Sequence, residues 1–138
     1  MIIMAVDYGD KRIGLAVSDP SEQIALPSDT LTNPGTLEAA AELVAHEAQG
    51  RSVELIVLGL PLNMDGSEGE RAVLTRKFAA LLEGHDLRVD FADERLTSWE
   101  AERMMIEADV SRKRRKQASD KLAATLILRQ YLQWRAKS

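Results

Sequence analysis

The run Ile2-Ile3-Met4-Ala5-Val6, closed by Asp7 and then Gly9, constrains the fold more than any other stretch. An unbroken apolar run of that length has no polar side to turn to water. It reads as a strand covered on both faces, in the middle of a sheet. Open α/β sheets place their chemistry at the C-terminal ends of such strands. Side chains alternate along a strand, which assigns Asp7 to the face of Ile3 and Ala5. Burying a lone ionised carboxylate is costly unless a cation accompanies it. Asp7 therefore lies at a solvated rim or holds a cation.

The remaining elements follow from pattern and punctuation. The turn Tyr8-Gly9-Asp10-Lys11 leads into Arg12 to Ser18, where Ile13, Leu15 and Val17 alternate with Gly14, Ala16 and Ser18. That alternation is a strand hairpinned to the first. A third run, Ile24 to Leu31, contains Pro27, which cannot donate to a ladder and so belongs on an edge strand. Asn33-Pro34 reads as a helix start, with Leu37, Ala40, Ala41, Val44 and Ala48 on one face and Gly50 at the end. Val53 to Leu58 is a second interior strand, running into the loop Gly59-Leu60-Pro61-Leu62-Asn63-Met64-Asp65-Gly66.

Ser67 and Glu70 have the spacing of a capping box for a second helix, with Leu74, Phe78 and Leu81 as its buried stripe and Gly84 closing it. Leu87, Val89 and Phe91 alternate as a fifth strand. Thr97 and Glu100 form another capping box, predicting a helix from about Ser98 to Ala108. In a last helix Asp120, Ala124, Ile127, Leu128 and Tyr131 share one face, with Asp120 at the N-terminal end of the stripe. The order βββαβαβαα predicts an α/β fold with a mixed five-stranded sheet, ordered 3-2-1-4-5, and helices on both faces. The 138 residues make one domain.

Composition removes several chemistries. There is no cysteine, hence no disulfide, thiolate metal site or cysteine nucleophile. The start lacks a secretory signal, and no stretch approaches the roughly 20 apolar residues that span a bilayer. A cytoplasmic protein with no membrane association is the expectation. The net charge of −4 speaks against a nucleic-acid partner, but its distribution speaks for one. Residues 1–87 carry 6 basic and 14 acidic side chains, whereas residues 88–138 carry 12 basic and 8 acidic. A polyanion meets the local field, not the sum.

Three carboxylates can approach one edge in this architecture. Asp7 ends the central strand, Glu94 follows the fifth, and Asp120 lies where the last helix begins. Like charges brought together raise one another's pKa unless a cation intervenes. Hard oxygen ligands with open positions for water and phosphate suit Mg²⁺ or Mn²⁺. His46 and His85 stand in a helix and a turn away from these acids and take no catalytic role.

The segments Val6 to Gly14, Gly59 to Gly66, Asp93-Glu94-Arg95-Leu96-Thr97 and Asp120-Lys121-Leu122-Ala123-Ala124 resemble the signature blocks of the YqgF family, also called RuvX. The blocks occur in the family's order and cover essentially the whole chain. The resemblance implies a ribonuclease H-like fold related to RuvC-type Holliday junction resolvases. It implies a nuclease, either trimming the 5′ end of pre-16S rRNA or acting as a resolvase on branched DNA. By position, the family's catalytic acids fall on Asp7, Glu94 and Asp120. The implied mechanism is two-metal hydrolysis, with Asp7 bridging both ions and Glu94 and Asp120 each favouring one. Candidates for a fourth carboxylate are Asp10, Asp93 and Asp109.

Polyanion contacts are expected first from Arg112-Lys113-Arg114-Arg115-Lys116, which adjoins Asp120. Lys11, Arg12 and Arg95 come next, and Asn63, Asp65 and Ser67 offer a groove lining. Trp99 is a better stacking candidate than Trp134, which is expected to pack. A resolvase that cuts two symmetric strands would be a homodimer. Two other classes fit part of the pattern. Asp7-Tyr8-Gly9 before a hairpin also resembles the phosphate loop of actin-like and sugar-kinase domains, which work in pairs. A non-catalytic RNA- or ribosome-associated module is the other.

Overall fold

The computed structural model describes residues 1–93 and 112–137, with side chains described from residue 122 onward in the last helix. Five strands form one sheet: β1 (Ile2–Tyr8), β2 (Arg12–Ser18), β3 (Ala25–Thr32), β4 (Val53–Leu60) and β5 (Arg88–Asp93). Their order is β3-β2-β1-β4-β5, as the crossover pattern predicts. β1 pairs antiparallel with β2 and parallel with β4, and β4 pairs parallel with β5. The C-terminal ends of β1, β4 and β5 consequently share one edge.

β1 is central for the reason its sequence gives. Ile3, Met4, Ala5 and Val6 are all fully buried, alternately against two cores. Met4 and Val6 join Ile13, Leu15, Ile56 and Leu58 beneath α1 (Leu37–Gly50) and α2 (Glu70–Glu83). Ile3 and Ala5 join Ala16, Leu55 and Val57 beneath the last helix, α3 (Arg112–Ala136), at Ala124, Ile127, Leu128 and Tyr131. Each fully buried aliphatic side chain stabilises the fold by about 1.5–3 kcal/mol before its entropy cost. Pro27 sits on β3, an edge strand, where a missing N–H costs no ladder bond on the open side.

Several helix boundaries differ from the sequence pattern. α1 begins at Leu37, capped by the Thr36 hydroxyl, which accepts from Ala39 N at 3.2 Å. Asn33 caps nothing, because its side chain accepts from Gly35 N and donates to Gly9 O. α2 has Gly69 as its cap and no side-chain capping bond, since the Ser67 hydroxyl is engaged with Asn63 and Asp65. Its buried face is Ala72, Thr75, Phe78, Ala79 and Leu82, so Phe78 is central as expected. Leu74 and Leu81 stand half-buried at its flanks. α3 starts at Arg112, so the basic run is helical and Asp120 lies about two turns inside the helix rather than at its start. The expected helix Ser98–Ala108 and its capping box lie outside the described residues.

Candidate active site at the C-terminal edge of the sheet

Asp7 is the last but one residue of β1 and is half-buried. Its neighbour Tyr8 packs into the core under α1 and α2, with its ring 4.6 Å from that of Phe78. Alternation therefore places Asp7 on the opposite face, the one that α3 covers. Strand register sets Val6 beside Leu58, so Asp7 stands at the level where β4 and β5 are leaving the sheet.

The turn after Asp7 is fixed from three directions. Gly9 N donates to Arg12 O at 2.9 Å, closing the hairpin tightly. A Cβ on residue 9 would stand 2.5 Å from Arg12 O, so no side chain fits there. Asn33 Nδ2 donates to Gly9 O at 2.9 Å and Asn33 N to Lys11 O at 2.8 Å. From α2, Arg71 Nη1 lies 3.0 Å from both Asp10 oxygens, and Nη2 donates to Tyr8 O at 3.3 Å. Asp10, a candidate fourth carboxylate, is thus paired with a guanidinium on the α2 side. Asn33 and Arg71 carry no local sequence signal for these tasks, because their partners are distant in the chain.

On the other face α3 runs antiparallel to β1. Near its end Arg135 Nε donates to Glu22 at 2.6 Å, and Glu22 also accepts from the Met1 ammonium at 3.1 Å. These two cations hold the Glu22 carboxyl below its ordinary pKa, the Arg135 bond contributing most. From that clasp, the helix rises about 22 Å back to Asp120, and β1 about 20 Å from Met1 to Asp7. The backbone at Asp120 is therefore carried toward the edge that holds Asp7. One turn back from the clasp, the buried Tyr131 hydroxyl donates to Asp90 at 2.8 Å, and burial together with that carboxylate pushes the phenol's pKa up.

The loop after β4 is a compact hairpin of its own. Leu62 bridges Glu68, Asn63 N donates to Ser67 O at 2.9 Å, and Gly66, at φ +87°, donates to Asn63 O at 2.8 Å. Asn63 Nδ2 donates to the Ser67 hydroxyl at 3.0 Å, and Asp65 accepts from Ser67 N and Oγ at 2.9 and 2.5 Å. Arg76 grips Glu68 at 2.6 and 2.8 Å while lying 4.9 Å over the Phe91 ring. Asn63, Asp65 and Ser67, expected to line a groove, are thus employed in shaping the loop.

The other expected site residues divide as follows. Lys11 is exposed and Arg12 half-buried, both at the start of β2 beside the turn. Arg112, Lys113, Arg114, Arg115 and Lys116 occupy the first turns of α3. Asp93 lies in phase with Val89 and Phe91, which pack toward α1 and α2, so it does not share the face of Asp7. Trp134, expected to pack, is 58% exposed and touches Tyr131 at a 5.6 Å ring separation. Glu94, Arg95, Trp99 and Asp109 lie outside the described residues. Among the described residues no three His, Asp or Glu side chains stand together as a metal site. Likewise, no helix among them is long and apolar enough to cross a membrane.

A family model described as "RuvX: Holliday junction resolvase" matches residues 1–134. The chain belongs to the RuvX family. RuvX-type relatives named "Putative pre-16S rRNA nuclease" include one from Syntrophomonas wolfei, 50% identical over 96% of this chain and 94% of the relative. Another, from Pelotomaculum thermopropionicum, is 47% identical over 96% of this chain and 86% of its own. Among solved structures, Thermus thermophilus RuvC, in complex with a Holliday junction substrate, superposes with a TM-score of 0.61 at 12% identity. It is covered over 97% of its length and this chain over 100%. That likeness establishes the ribonuclease H-like fold of this RuvX chain.

Proposed function

We propose that this chain is a divalent-metal-dependent nuclease that hydrolyses phosphodiester bonds in structured nucleic acid, processing the 5′ end of pre-16S rRNA. The observation that carries the reading is the position of Asp7, a half-buried carboxylate at the C-terminal end of the central strand in a RuvX-family chain. The names of the relatives supply the substrate.

Asp7, Glu94 and Asp120 are the acids that would hold metal. An oxygen-only donor set, with Asp10 already neutralised by Arg71, fits Mg²⁺ or Mn²⁺ and leaves no soft ligand to favour another ion. Two such ions, when bound, would supply an activated water and stabilise the leaving oxygen. The chain's own part is to hold and orient. The Gly9 turn fixes Asp7, and the α3 basic run, with Lys11, Arg12 and Arg95, draws in the phosphate backbone. No protein nucleophile is needed.

The family description favours a second reading, a Holliday junction resolvase-type DNA endonuclease. A symmetric double cut would then require a homodimer. Cleavage of a pre-16S 5′ leader RNA, a single strand and a four-way DNA junction, each with Mg²⁺, Mn²⁺ or chelator, separates the readings. Metal-dependent cutting of the leader, lost in Asp7→Asn, is expected. Cutting of the junction alone selects the resolvase. Binding without cleavage of any substrate would leave a non-catalytic RNA-associated module. Tight ATP binding by calorimetry would instead favour the kinase-like class.

A further inference from the structure

We infer that Arg71 is a phosphate-binding residue: when substrate arrives, its guanidinium exchanges the Asp10 carboxylate for a backbone phosphate beside the one to be cut. This inference rests on the nuclease reading and deepens it by naming a contact on the α2 side of the edge, opposite the basic run of α3.

Arg71 leaves the first turn of α2 and reaches across to the turn that follows Asp7. Its Nη1 bonds both Asp10 oxygens at 3.0 Å, and Nη2 donates to Tyr8 O at 3.3 Å. One nitrogen thus serves the whole carboxylate. In Arg76 two nitrogens, Nε and Nη2, each take a separate oxygen of Glu68 at 2.6 and 2.8 Å. That two-nitrogen fork is the stronger and more specific geometry. The side chains of Arg71 and Asp10 are 50% and 74% exposed, against 48% and 37% for Arg76 and Glu68. An ion pair this exposed adds little to stability, and a released Asp10 returns to water, not to a buried site. A phosphodiester offers the guanidinium fork two oxygens in its place. The bond to Tyr8 O does not compete with either anion. Pairing with Asp10 meanwhile keeps a long side chain extended over the edge, so less freedom is lost when the phosphate takes over.

Position supplies the second part. Tyr8 follows Asp7 directly, so Nη2 of Arg71 stands at most about 10 Å from the Asp7 Cα. That is about three nucleotide steps at about 3.4 Å each. Arg71 belongs to the α2 side of the sheet, and α3, with the basic run at its start, covers the opposite face. A backbone laid over the edge between them meets positive charge on both sides of the phosphate at Asp7.

The test scans single neutral methylphosphonate linkages through a pre-16S 5′ leader RNA, each on a 2′-deoxy sugar, and through a four-way DNA junction. Anisotropy reads binding with chelator present, at several salt concentrations. Wild type should lose about fivefold in affinity at one linkage beside the cut, in whichever of the two substrates it cleaves. Arg71→Ala should bind the unmodified substrate about fivefold more weakly and be indifferent to a neutral link at that position. It should still lose affinity at the linkages met by the basic run, and its log–log salt slope should fall by about one. Asp10→Asn should bind about threefold tighter, a gain that vanishes at the neutral link. That variant leaves Arg71 in place and carries the test if Arg71→Ala fails to fold. A folded Arg71→Ala protein with the wild-type pattern of sensitive linkages overturns the exchange alone. So does an Asp10→Asn protein with no gain, or with a gain equal on charged and neutral links. A wild type that binds neither nucleic acid overturns the nuclease reading and the exchange with it.

Discussion

The two faces of the sheet are built for different purposes. Under α1 and α2 the buried core is apolar and includes Phe78, Ile56, Leu58 and a row of alanines that lets α1 approach closely, while the ion pairs of α2, Arg71 to Asp10 and Arg76 to Glu68, lie exposed. Under α3 the apolar core is accompanied by polar fastenings: Tyr131 to Asp90, Arg135 to Glu22, and Asp7 at the rim. One sheet can thus be stabilised mainly from one side and keep its other side for groups whose solvation and charge matter. The functional acids are expected on the face whose packing tolerates them.

Exchanging one residue from each face is the sharpest way to break this comparison. Asp7→Asn should lower cleavage about a thousandfold while leaving the melting temperature nearly unchanged, as read by a cleavage time course and a thermal melt. Phe78→Ala should do the reverse, costing about 3–5 kcal/mol in a urea melt, with residual folded protein still active. A Phe78→Ala protein as stable as wild type would mean that the α1/α2 face is not the stabilising one.

Gly9→Ala tests the junction between the faces. Its methyl would collide with Arg12 O, so a loss of about 1–3 kcal/mol is expected, with reduced cleavage as Asp7 shifts. Tyr131→Phe should cost less, about 1–2 kcal/mol, by leaving Asp90 short of a donor. The smallest effect concerns acid. Glu22 titrates below its ordinary value when folded, so its contribution is present above the usual carboxylate range and is lost as pH falls through the depressed pKa. Glu22→Gln should flatten the fall in melting temperature between about pH 5 and pH 3. An unchanged acid slope would assign that fall to other carboxylates.

The strands were legible because burial writes itself into composition. Ile2–Val6 and Val53–Leu58 have no polar face, Arg12–Ser18 alternates, and Pro27 marks an edge, which together give the sheet order. Caps were less legible. Asn33 and Ser67 carry the right side chains for capping but find partners elsewhere, Asn33 across the fold at Gly9 and Ser67 within its own turn. Local pattern cannot weigh a cap against a bond formed only after the chain has folded. The pairing of Asp10 with Arg71 is of the same kind. The place of Asp7 at the C-terminal edge of the sheet was readable from its strand alone, whereas the place of Asp120 needed the direction of α3, which the clasp at Glu22 supplies.

α3 is longer than the sheet it crosses. Its 25 residues extend about 37 Å, against about 26 Å for the longest strands of 8 residues. With its tail fastened at Glu22, the helix is about 11 Å longer than those strands, and Arg112 to Lys116 occupy the end farthest from the clasp. On the proposed reading, the place where the backbone is gripped and the place where it is cut are separated by a rigid helical span. The offset between them would then be a fixed number of nucleotides, set by turns of helix and independent of sequence.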